Sequence, residues 1–239
     1  MSIFIIFLLT AGALIGGFAV FFFKKDSSQK LKLILAFSGA YLFAITVLHL
    51  LPEVYHSHNH YIGLFILIGF LLQIVLEQFS DGIEHGHIHH HSHQHSFPWG
   101  IMISLSLHAF LEGMPLTSSQ HHLVYGIAIH HIPAAFALGS VMLNNQVSKT
   151  RTVLFLIIFA LMSPMGYIFS FALKTNGANH GVYYPYIMGI VIGIFLHIST
   201  TILFESSNAD HRFTFKKTLA VLLGITIGLV GFFLTGHSH

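Results

Sequence analysis

The chain has 239 residues, of which 54% are apolar and only 8% are Asp, Glu, Lys or Arg, with a mean hydropathy of +0.75. An ordinary soluble domain carries about 25% charged residues, so this composition excludes a water-facing globule and fits hydrocarbon as the solvent. A net charge of +2, with the basic residues scattered in short connections, excludes a nucleic-acid surface; the absence of cysteine excludes disulfides and thiolate sites, leaving 21 histidines and the carboxylates as strong metal ligands.

Lipid offers the backbone no hydrogen bonds, and the apolar runs are continuous rather than alternating, so the spanning elements are expected to be helices. A crossing needs about 20 residues, and eight segments meet that length. In chain order they are 3–23, 32–54, 61–79, 99–117, 122–143, 152–174, 183–206 and 218–235. No basic residues precede Ile3, while Lys24 and Lys25 follow the first run, the reverse of a signal peptide, so it is kept as a membrane helix. The second, fourth, fifth and seventh segments carry polar groups at membrane depth; the third is counted among the purely apolar ones.

With the odd-numbered connections in the cytoplasm, Lys24, Lys25, Lys30, Lys32, Lys149, Arg151, Arg212, Lys216 and Lys217 lie inside and only Lys174 outside. This asymmetry predicts both termini outside. The expected architecture is an all-α polytopic membrane protein, a single domain of eight transmembrane helices over residues 1–239, with one longer cytoplasmic loop at 80–98.

The second segment ends in HLLPE, with His49 inside it and Glu53 at its outer mouth. After the third segment, DGIEHGHIHHHSHQHSFP supplies His85, His87, His89, His90, His91, His93 and His95. Neutral imidazole suits zinc, copper, nickel or iron, and a histidine-rich tract can wrap an ion without a preformed cage, so weak and exchangeable capture is expected. Smaller clusters occur at His56, His58 and His60, at His121 and His122, and at His237 and His239, each a candidate for gathering ions at the external mouth.

The fourth segment contains SLHAFLEGMPL, in which His108 and Glu112 are four residues apart and share a helical face. An ionisable pair at membrane depth is costly and marks a functional site. The fifth contains IAIHHIPAAFALG, placing His130 and His131 at comparable depth. Two imidazoles and a carboxylate leave room for a water or a further ligand. Pro115 and Pro133 are expected to free carbonyls near Leu111 and Ile129, unless Pro115 simply ends its helix. The seventh segment adds His197 near its middle and Glu205 near its inner end, both candidates for lining a path.

Together these features resemble the Zrt/Irt-like, or ZIP, metal transporters of bacterial type: eight spans, a His-rich cytoplasmic loop after the third, and the paired HAFLEG and HHIPAAFALG segments. The resemblance covers essentially the whole chain. His108, Glu112 and Gly113 match the family's fourth-helix pattern, and His130, Pro133, Ala135, Leu138 and Gly139 fit the fifth. It implies a main transport site of His108, Glu112 and His130, with His131 as a further ligand. It implies alternating access, in which helices 1, 4, 5 and 6 move against 2, 3, 7 and 8. It also implies a bacterial inner membrane location and a possible homodimer. The partners are then the metal ion and the lipid bilayer. Zinc fits best as the substrate, with iron, manganese, nickel and cadmium as alternatives, and no organic cofactor is expected.

Three departures qualify it: Ala109 stands where the family often has asparagine, Ala134 where it has a metal-binding glutamate, and Ser163 where some members have a carboxylate. A single-metal site is therefore expected. Gly12, Gly16 and Gly17 in the first helix, and Gly189 and Gly193 in the seventh, are placed to permit close helix approach. A cation-diffusion exporter would need aspartate-rich sites and a soluble C-terminal domain. An intramembrane hydrolase would need a general base, and no HExxH occurs. A metal sensor of the same fold would bind without flux.

Overall fold

A computed structural model of the chain describes residues 2–22, 28–56, 60–80, 97–116, 121–175, 180–205 and 215–235. Among these residues all regular structure is helical: α1 Ser2–Ala19, α2 Ser28–Ile45, α3 Leu51–Tyr55, α4 Ile62–Ser80, α5 Trp99–Gly113, α6 His121–Asn144, α7 Lys149–Thr175, α8 His180–Glu205 and α9 Phe215–Thr235. A π-helical turn, Thr46–Leu50, joins α2 to α3, so these form one continuous rod. The Leu51 amide donates to the Thr46 carbonyl, and the Thr46 hydroxyl donates to the Leu42 carbonyl at 2.7 Å. Pro52, which has no amide to give, follows at once, and loss of that donor lets the helix widen by one residue.

Among the described residues, six stretches are long and apolar enough to cross a membrane: Lys32–Tyr55, Ile62–Ser80, His122–Asn144, Lys149–Leu173, Tyr183–Phe204 and Phe215–Leu234. Two of the expected spans are shorter as α-helix. α1 gives way after Ala19 to tight turns, in which the Val20, Phe21 and Phe22 amides donate to the Gly17, Phe18 and Ala19 carbonyls. α5 stops at Gly113 instead of running to 117. The Met114 amide donates to the Leu111 carbonyl at 3.2 Å, and the Leu116 amide to that of Gly113 at 3.3 Å. The expected free carbonyl at Leu111 is thus corrected: Pro115 lies beyond the helix, and the tight turn before it reclaims that oxygen.

The helices fall into two groups by their packing. α1, α5, α6 and α7 pack mainly on one another, as do α2, α4, α8 and α9, and the groups meet where α2 lies on α6 and α4 on α5. The outer surface is apolar, with Leu64, Leu67 and Leu71 of α4 and Leu222, Ile227 and Phe233 of α9 exposed. Rows of exposed aliphatic and aromatic side chains are costly in water and stable in lipid. Within each group, glycines bring backbones together: a Cβ on Gly16 would collide with the Ile132 carbonyl, and one on Gly193 with that of Ile66. Gly12, Gly17 and Gly189 also lie against neighbouring helices, at Ala128, Leu156 and Phe65.

Candidate metal site

The site is built between α5 and α6, with α4 packed against α5. His108 and Glu112 stand one turn apart on α5, with His108 Nε2 3.1 Å from Glu112 Oε1. From α6, His131 Nε2 lies 2.9 Å from the other carboxylate oxygen, Oε2. The His130 ring stands edge to face with that of His108, with centroids 5.9 Å apart. One ligand atom from each of His108, Glu112 and His130 can be chosen so that all lie within 4.8 Å of one another. All three side chains are fully buried and His131 nearly so. Adjacent helical residues project about 100° apart, yet both histidines reach the site, because His130 faces His108 while His131 reaches across to Glu112. The Phe159 ring from α7 meets His131 edge-on at 5.7 Å.

Three imidazoles around one carboxylate form a nitrogen-rich, charge-poor donor set. Such a set suits a borderline divalent ion better than calcium or magnesium, which take oxygen. Where the resemblance pointed to lost carboxylates, Ala134 is buried among apolar side chains of α1, α5 and α7, and the Ser163 hydroxyl is buried without a hydrogen-bond partner.

Two polar residues of α4 escaped the sequence reading. Gln73 is fully buried, and its Oε1 lies 3.2 Å from His108 Nδ1. This contact fixes the ring so that Nε2 faces Glu112, as outer-sphere acceptors do for metal-bound histidines. One turn on, Glu77 Oε2 lies 3.4 Å from His197 Nε2, so His197 is drawn to α4. The missed signal was the spacing: Gln73 and Glu77 are four apart in an otherwise apolar helix.

The remaining candidates are placed as follows. Glu53 is exposed on α3. Glu205 ends α8, with its side chain outside the described residues, where the loop histidines His85, His87, His89, His90, His91, His93 and His95 also lie.

A sequence profile for the family described as ZIP zinc transporter matches residues 1–98 and 84–231. Zinc transporter ZIP9-B of Xenopus laevis is 24% identical over 216 residues, covering 78% of this chain and 71% of the relative. Zinc transporter ZIP1 of Danio rerio is 27% identical over 151 residues, or 60% of this chain and 50% of the relative. Protein zntD of Dictyostelium discoideum is 29% identical over 138 residues, which is 54% of this chain; the match spans only 20% of that longer protein.

Proposed function

Since the chain belongs to the ZIP zinc transporter family, we propose that it moves a divalent transition metal, zinc foremost, across a membrane through the site formed by His108, Glu112 and His130. The observation that carries this reading is the convergence of those three ligands, fully buried, on two helices of one group. His131 holds Glu112 and supplies a fourth donor when an ion displaces that contact.

The helical rods, α2 to α3 counting as one, cross the bilayer eight times with both termini outside, in keeping with the basic residues of the odd-numbered connections. Metal moves towards the cytoplasm. The group of α1, α5, α6 and α7 carries the site and shifts against α2, α4, α8 and α9, exposing the ligands to each face in turn. A single carboxylate leaves a bound divalent ion with net positive charge in a low dielectric, which favours release over storage. His197, with Glu77, Glu53 and Glu205 are steps along the path, and the loop histidines receive the ion inside.

The test is zinc-65 uptake into proteoliposomes by the native chain and by His108→Ala, Glu112→Ala and His130→Ala. Uptake is expected in the native chain and lost in all three variants while they remain monodisperse. Native protein that binds zinc at this site yet shows no flux would overturn transport in favour of a sensor of the same fold.

A further inference from the structure

A second pair of imidazoles stands apart from the site above. His49, in the π-helical turn after α2, and His122, in the first turn of α6, have ring centroids 5.7 Å apart with planes inclined by 28°. The backbone is shaped around them. Extra width in the π turn changes the direction in which His49 projects, and such turns are frequent at functional sites. On α9, Gly231 has no Cβ to occupy the space of the His122 ring; one placed there would stand 3.2 Å from its Nδ1. Phe232 meets His49 edge-on at 5.4 Å, and the Tyr41 hydroxyl donates to the His122 carbonyl at 3.4 Å. Both histidines are partly accessible rather than sealed in the core.

We propose that His49 and His122 form a second binding site for a divalent transition metal, a two-histidine site completed by water. Metal–nitrogen bonds of about 2 Å, with roughly another 1 Å from nitrogen to ring centre, put two imidazoles on one tetrahedral ion with centres about 5 Å apart. The observed separation of 5.7 Å lies within a small side-chain adjustment of that. Because α2 and α6 belong to opposite groups, an ion held here ties the two groups together.

The competing explanation is an aromatic stack with Phe232 and no ligand role. Footprinting of the full chain with diethylpyrocarbonate at graded free zinc separates them when each modified histidine is located by tandem mass spectrometry. His49 and His122 are expected to become protected together, with one zinc midpoint. His49→Phe keeps a ring against Phe232 and removes a ligand, so zinc should no longer protect His122; His122→Phe should release His49 likewise. Protection of His122 that survives in His49→Phe, or no protection of either residue in the native chain, would overturn the site. Uptake through Glu112 is measured separately, so failure of transport and failure of this site are distinguishable.

Discussion

The interior of each helix group and the seam between the groups are packed in different ways. Inside the groups, the tightest glycine contacts are with backbone: Gly12 and Gly16 of α1 on α6, Gly113 of α5 on the Ser163 carbonyl, Gly166 of α7 on that of Phe110, Gly69 of α4 on that of Ile190, and Gly224 of α9 on that of Phe37, while Gly17, Gly39 and Gly228 meet side chains. Across the seam, Gly126 and Gly231 instead meet the side chains of Leu42, Ile45, Tyr41 and His122, and the one backbone approach is looser, with a Cβ on Gly100 standing 3.0 Å from the Phe79 oxygen. Polar side chains bridge the seam: Gln73 to His108, Ser104 to the Leu76 carbonyl, and Tyr184 to the Pro115 carbonyl. Backbone-on-backbone packing has one geometry, because no rotamer change relieves a misfit. Side-chain contacts can be exchanged for others. The difference is what rigid groups with a movable boundary require.

The comparison is broken most severely by adding bulk inside a group. Gly16→Val would push a side chain into the Ile132 carbonyl, and overpacking of this kind costs about 1–3 kcal/mol, more where backbone must move. Gly126→Ala at the seam would bring its Cβ only to 3.3 Å from the nearest Leu42 carbon, and that side chain can give way. Thermal unfolding in detergent, followed by size exclusion, is expected to show loss of monodisperse protein for Gly16→Val and a shift of a few degrees or less for Gly126→Ala. Equal losses would mean that seam and interior are packed alike.

Much of this arrangement was legible in the sequence, because lipid makes length and hydropathy nearly sufficient to find a helix. The expected runs at 61–79 and 122–143 became Ile62–Ser80 and His121–Asn144. His108 and Glu112 were readable as a pair because four-residue spacing stacks them whatever the tertiary fold. His131 was harder, since its reach to Glu112 depends on how α6 is rotated against α5. Gln73 and Glu77 were lost in the high average hydropathy of α4, which hides two polar residues among many apolar ones. The seam had no local signature at all: Gly16 and Gly126 are the same residue type, and only the surroundings distinguish backbone from side chain.

Gln73 sharpens the comparison at the site itself, because the residue that orients His108 sits on the opposite group. Gln73→Leu keeps the bulk and removes the acceptor, so the His108 ring loses its fixed tautomer. Metal affinity is expected to fall about 10- to 100-fold, in line with other second-sphere losses, while folding is retained. Zinc titration of purified protein checks it. Unchanged affinity would mean that Glu112 alone orients the ring.

The smallest effect belongs to Tyr184, and it bears most directly on whether the seam moves. Its hydroxyl, on α8, donates to the carbonyl of Pro115 just beyond α5, at 3.2 Å. Tyr184→Phe removes one hydrogen bond worth about 1 kcal/mol and leaves the ring in place. If the two groups shift during transport, that bond exists in one arrangement and is broken in the other. Its loss then changes the balance between arrangements by up to about fivefold, and no more, because a contact biases an equilibrium only by its differential free energy. Zinc-65 uptake is therefore expected to change in rate by a few-fold, with affinity at His108, Glu112 and His130 within twofold of native by equilibrium titration. A bond that persists in both arrangements would give a small loss of thermal stability and no change in rate. That result would put the moving boundary somewhere other than between α8 and α5.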